Sequence, residues 1–433
     1  MNDFPSQLCG SVRRAGLVRG LAALSALLQS ILLMASIVLL FCTQDRQISS
    51  ACVMAWLLIA LLERPSPRPW SMAIAGMLML NVRQVILDEG TLPASHMDGV
   101  LIIAAFVCGH RRSSFWWARC AACVAIAVLI AVVINLEIVF DFAWFGIEYH
   151  AQALTKNQTA LLAGLGSLCA LFSLQNAQRW SGRGLYGMAL LANLVLLRAA
   201  DSRAGVLMGV VALGLAGLLA ERGRLVQWAS KLARGVRRAT PLLCVALLIL
   251  MIASALTLWL PSGLGPTLPT SLDHWYGEEN LENDASRLKI YSCYLGLPFT
   301  GNNRFIWGVG YGNAWSRLCT AKEVGRSLSH SHNLVLQVWA ETGILGVAFL
   351  LTSLAWILLR VILNSMRLSG KRPSQITQES SQLFLWSSGS YVYYLLLFNM
   401  VELGMVKVPL LMFLFGLFLA SPFQLDGRRP SGV

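Results

Sequence analysis

Residues 329–363 read SHSHNLVLQVWAETGILGVAFLLTSLAWILLRVIL. From Gly343 to Leu363 the stretch carries a single charge, Arg360. It is long enough to cross a bilayer, where ~20 apolar residues wound into a helix satisfy every backbone polar group across ~30 Å of hydrocarbon. The half before Gly343 is different. Asn333, Gln337 and Glu341 stand at i, i+4 and i+8 and form a polar stripe, while His332, Val335 or Leu336, Trp339 and Gly343 make a neighbouring seam expected to pack on a transmembrane bundle. Ser329 or Ser331 is placed to cap this helix. The stretch therefore joins a polar helical head to a membrane span.

Composition agrees. The chain of 433 residues is 56% hydrophobic and 13% charged, with a mean hydropathy of +0.62. Soluble domains carry roughly 25% charged residues, so the polar surface here is too small for a water-soluble globule. Working outward, apolar stretches fall near 17–43, 48–63, 70–87, 96–109, 115–137, 155–175, 184–199, 203–220, 240–260, 343–363, 382–400 and 405–421. The expected fold is an all-α polytopic membrane protein of about twelve transmembrane helices. A re-entrant pair fits 70–109 almost as well, because Arg83 lies in one stretch and the other is short. The first stretch follows a basic start but is longer than a signal-peptide core, which favours a retained anchor.

Basic residues assign the two sides. Of the 34 Lys and Arg, 21 fall in one set of alternate loops, including the cluster Arg222, Arg224, Lys231, Arg234, Arg237 and Arg238. That set is read as cytoplasmic, with both termini inside. The net charge of +13 is then largely a topology signal, and no nucleic acid is implied. The chain divides into 1–260 with nine spans, an external loop over 261–342 containing short helices and the chemistry-bearing segment, and 343–433 with three spans and a cytoplasmic tail.

The loop opens on the helix-breaking PSGLGP at 261–266. Of ten cysteines only Cys293 and Cys319 fall within it, and in an oxidising compartment they could pair, closing a loop worth ~3 kcal/mol. Cys120 and Cys123 form a CxxC within an apolar span, which reads as packing rather than a zinc site. Gly308, Gly310 and Gly312 in GVGYGN lack the strand and spacing of nucleotide-binding loops and read as a tight turn. The acidic residues Asp273, Glu278, Glu279, Glu282 and Asp284 are scattered as in a solvated loop, and no metal site or cofactor is expected.

Four external arginines, Arg203, Arg287, Arg304 and Arg317, sit in the loop or at span edges. Guanidinium groups offer fixed donors to phosphate oxygens and suit a lipid diphosphate, the alternative being salt bridges to Asp201, Glu282 or Asp284. Two of the six histidines, His330 and His332, precede the polar stripe, and a histidine at a helix start is placed to act as a general base at pH 7. An interfacial histidine bonded to loop backbone is the plainer alternative.

Taken together, Ser202-Arg203, Arg287-Leu288 with Pro298 and the Gly308-Gly310-Gly312 turn, and His332-Asn333 followed by Glu341, Gly343 and Gly346 resemble the O-antigen ligase and polymerase superfamily. The likeness covers roughly 150–420. It implies inverting, metal-independent transfer of a glycan from undecaprenyl diphosphate, on the periplasmic face of a bacterial inner membrane. His332 would be the catalytic base, with Arg203, Arg287, Arg304, His330 and Asn333 holding substrate. One dominant external loop favours a ligase acting on lipid A-core, over an O-antigen chain polymerase or a protein O-oligosaccharyltransferase. Arg203 and Gly214 do fit an Arg-x10-Gly spacing seen in polymerases, but chance alone gives about two such pairs here. A transporter of polyprenyl-linked sugars is the reading from another class. It would call for internal repeats and ionisable residues within spans, whereas most charge here lies at span edges.

Overall fold

A computed structural model describes residues 4–43, 46–63, 96–110, 112–136, 154–200, 202–220, 289–301, 304–310, 319, 331–369, 379–401 and 408–423. No strand occurs among them. The long helices are α1 (Phe4–Cys42), α2 (Arg46–Leu62), α3 (His96–Gly109), α4 (Ser114–Ile134), α5 (Lys156–Asn176), α6 (Trp180–Ala199) and α7 (Arg203–Ala220). After a helical segment at 289–296 and a 3-10 turn at Leu297–Phe299 come the short α8 (Arg304–Trp307), then α9 (Leu334–Ser369), α10 (Glu379–Val401) and α11 (Pro409–Leu419).

Ten of the twelve apolar stretches thus coincide with helices, and 70–87 and 240–260 lie outside the described residues. Gly20–Cys42, Ser114–Ile134, Lys156–Asn176 and Leu334–Val361 are long and apolar enough to cross a membrane. Arg46–Ala60, Ala204–Gly214 and Pro409–Phe423 are shorter apolar helices. The chain is an all-helical membrane protein.

Local chemistry sets the helix starts. Ser113 caps α4, its hydroxyl accepting from the Trp116 N–H at 3.3 Å. Thr155 and Gln158 form a reciprocal capping box at α5. Ser202 caps α7 by accepting from the Gly205 N–H at 3.2 Å, and donates to Asn157 Oδ1 at 2.7 Å, which fixes the starts of α5 and α7 side by side.

The helices pack through small residues. A Cβ added to Gly164 would meet the Tyr394 hydroxyl at 2.0 Å, and one on Gly416 would meet the Ile102 carbonyl oxygen at 2.1 Å. Lipid tails are as apolar as leucine, so association in a membrane relies on such close approach and on interhelical hydrogen bonds. Tyr394 supplies both, filling the notch at Gly164 and donating to the carbonyls of Ala160 and Leu161 at 3.0 and 3.2 Å. This contact runs α10 antiparallel to α5.

The two ends of the bundle differ in character. At one end Arg112 donates to Glu63 at 2.6 Å and to the carbonyls of Ala60 and Cys108, and stacks over Trp116. The Ser25 hydroxyl also bonds Glu63, while Phe423 lies between His110, Trp356 and Arg360. At the opposite end lie the starts of α5 and α7 and, by the antiparallel packing of α9 on α10, the start of α9.

Gly416→Val should push α11 off α3 and cost about 1–3 kcal/mol or more. Thermal unfolding in detergent reads this, and an unchanged melting temperature would contradict the close approach.

Candidate functional site

The head of α9 is a short helix of its own. Asn333 is its N-cap, its Oδ1 accepting from the N–H groups of Val335 and Leu336 at 2.9 and 3.1 Å. This corrects the expectation that Ser329 or Ser331 caps it. Ser331 is fully buried and braces the preceding turn, its hydroxyl donating to the Asn333 carbonyl at 2.6 Å. Ser329 lies outside the described residues.

Between Ser331 and Asn333, His332 has φ 56, the one non-glycine in the left-handed region among the described residues. Such a conformation costs roughly 1–3 kcal/mol and persists where the surroundings over-determine it. Here they do. The Ser331 N–H donates to Gln337 Oε1 at 2.8 Å, and Gln337 Nε2 donates to Glu341 Oε1 at 2.7 Å. Gln337 and Glu341 of the polar stripe read from the sequence thus form a hydrogen-bonded column from the Ser331 N–H to Glu341, which is only 2% exposed, while Asn333 serves as the cap. The column's upper end grips the residue before His332.

At Gly343 the helix breaks, with φ 65 and ψ −160. A break strands the carbonyls of the preceding turn. Those of Ala340 and Glu341 are taken up by the Val309 and Gly310 N–H groups, each at 2.9 Å. Gly308 and Gly310 carry positive φ of 68 and 94, as the tight-turn reading anticipated; Gly312 lies outside the described residues. The approach is backbone to backbone. A Cβ on Gly343 would stand 2.5 Å from the Ile306 carbonyl oxygen, and one on Gly308 would stand 2.3 Å from the Glu341 carbonyl carbon.

Behind this lock lies a small second core of Ile290, Tyr294, Leu297, Val309, Cys319 and Ala340, with Leu336 packed against it. Cys293 and Cys319 form a disulfide at its edge. Leu336 of the expected seam thus packs on the loop's own core and Trp339 on Phe299 and Phe305, not on the bundle as the sequence led us to expect. Leu334 and Val338 face the bundle instead. Burial and then the Glu341 carboxylate push the Tyr294 hydroxyl well up, opposed by Gln337, so it stays protonated.

The other residues singled out from the sequence are placed as follows. Arg203 is the first residue of α7, at the same end of the bundle as His332. Arg304 begins α8 and donates to the Thr300 hydroxyl at 3.0 Å. His330, Arg287 and Arg317 lie outside the described residues, as do all five acidic residues of 273–284. Among the described residues no three His, Cys, Asp or Glu stand together. The sequence reading missed Gln337 and Ser331 as the supports of His332. Their spacing of six was the available signal.

A sequence model of the O-antigen ligase family matches residues 188–351. That segment runs from α6 to the first turns of the α9 span and holds Arg203, Arg287, Arg304, Gly308, His332 and Gly343. Over that segment, 188–351, the chain is similar to the O-antigen ligase family. No curated protein matches it.

Gly343→Ala should destabilise the lock by about 2 kcal/mol or more, from positive φ and the clash together. Gly308→Ala should do likewise. Because both break one contact, the double variant should cost less than the sum, measured by thermal unfolding. Gln337→Met would leave the Ser331 N–H without its acceptor. Hydrogen exchange at that amide should accelerate, and unchanged exchange would mean that His332 is held without the column.

Proposed function

We propose that this protein is an inverting, metal-independent O-antigen ligase. It transfers O-antigen polysaccharide from undecaprenyl diphosphate to a sugar hydroxyl of lipid A-core, on the periplasmic face of a bacterial inner membrane. The observation that carries the reading is His332, held in a left-handed conformation at the head of α9, where half-buried Gln337, bonded to buried Glu341, grips its neighbour. Strained, over-determined residues of this kind cluster at functional sites.

In this mechanism His332 removes the proton of the acceptor hydroxyl as that oxygen attacks the anomeric carbon, and a single displacement inverts the configuration. Arg203, Arg287 and Arg304 hold the diphosphate and offset the charge that develops on it as it leaves, while His330 and Asn333 help to seat the sugar. The helix starts at Lys156, Arg203 and Leu334 support the charge assignment, since their positive dipole ends share one end of the bundle. The basic end with Arg112 and Arg360 lies opposite and becomes the cytoplasmic side. On this reading both termini are cytoplasmic. The full count of about twelve spans and the division into 1–260, 261–342 and 343–433 belong to the same reading.

The test is purified protein in lipid with undecaprenyl diphosphate-glycan and separate acceptors, in chelator. Transfer to lipid A-core is expected, whereas elongation of the lipid-linked glycan would reassign the protein as a chain polymerase. His332→Ala should lower turnover ~10²–10⁴-fold while donor binding persists, and His330→Ala should be milder. Arg203→Ala and Arg287→Ala should each weaken donor use by ~1.5–3 kcal/mol, with only partial rescue by Lys. Wild-type turnover in His332→Ala would remove the base assignment.

A further inference from the structure

Opposite the small loop core lies an apolar surface that the proposed chemistry leaves unexplained. Leu295, Phe299, Phe305 and Trp339 come from four separate segments and meet there, and Ile306 and Trp307, next to Phe305 in α8, are exposed as well. The rings of Phe299, Phe305 and Trp339 pack on one another with centroids 5.6–5.9 Å apart. Yet Phe299 is 69% exposed and Leu295 50%. The Trp339 indole N–H is already satisfied, donating to the Leu295 carbonyl at 3.1 Å. Such a patch is costly in water, and Trp339 can enter an apolar medium without leaving its donor unpaired.

Its height is fixed by the backbone lock. The Ile306 carbonyl and the Gly308 N–H lie against Gly343, where α9 breaks ahead of the apolar stretch 343–363. Beyond it Ile344, Leu351 and Leu358 are exposed at a spacing of seven, giving the span one outward apolar face. The aromatic patch therefore stands level with the break in α9, next to the start of this apolar stretch. Trp at that level matches the amphipathic rings that anchor proteins in the head-group layer, and the Phe rings add apolar area.

We infer that this surface is a membrane-docking wedge: Leu295, Phe299, Phe305, Ile306, Trp307 and Trp339 insert into the phospholipid interface and tether the loop that carries His332. The wedge stands independently of the glycosyl-transfer reading. It ties the height of His332 to the membrane surface through α8 and the Gly343 lock, which suits a substrate whose reacting group emerges from the bilayer.

The test is the full chain with the photo-reactive benzoyl-phenylalanine at Phe299 or Phe305, in nanodiscs of phosphatidylethanolamine and phosphatidylglycerol free of polyprenyl lipid. Phospholipid adducts should form at yields within about threefold of those at Leu351, the lipid-facing reference. Failure at both positions while Leu351 reacts would overturn the wedge. Adducts appearing only after undecaprenyl diphosphate is added would assign the surface to the donor's tail, and adducts to a second copy would make it a subunit contact. Hydroxyl-radical labelling of the unaltered protein in the same nanodiscs reads the wedge without a variant. Phe299 and Phe305 should be protected, and labelling at the rate of water-exposed rings would refute it.

Discussion

The break at Gly343, sealed by the Gly308–Gly310 turn, is the constraint on which this end of the molecule depends. A helix running unbroken from Leu334 would use the Ala340 and Glu341 carbonyls internally and offer the loop nothing to hold. By breaking there, α9 exposes two acceptors, and Val309 and Gly310 supply donors at the right spacing. Two glycines at positive φ let the backbones approach to a distance that no side chain tolerates. The loop core, the disulfide and the aromatic surface all hang from this joint.

Above the joint the same short helix carries a second constraint of opposite sense. Gly343 is relaxed in a conformation natural to glycine, whereas His332 is held in one that costs a branched residue energy. The Ser331, Gln337 and Glu341 column carries that load and ends in a nearly buried carboxylate. Fixed backbone, rather than a flexible side chain, thus sets where the imidazole begins. Its proposed role in proton removal requires such orientation more than it requires affinity.

The bundle was legible in the sequence because length and apolarity suffice to define a span, and the described helices follow the apolar stretches closely. The spacing from His332 and Asn333 to Gly343 was legible too, since it lies within one short stretch. What escaped was whatever depended on groups distant in the chain. Asn333, not either serine, caps α9, a choice made by the turn that Ser331 is already bracing. The Leu336 and Trp339 seam was assigned to the bundle because nothing in the sequence shows that 289–310 folds into a rival core. Phe299, Phe305 and Trp339 share no local pattern at all. The pairing of Cys293 with Cys319 was left open for the same reason: spacing alone does not bring two thiols together.

The notch at Gly164 has a consequence in time. Tyr394, which fills it, lies 234 residues beyond the carbonyl of Ala160 that its hydroxyl reaches. At synthesis rates of roughly 5–20 residues per second, the two are made about 10–50 s apart. Throughout that interval α5 is inserted with its groove open to lipid, and α10 must later displace those acyl chains to seat its tyrosine. This close contact between α5 and α10 is therefore among the last that the growing chain is able to make.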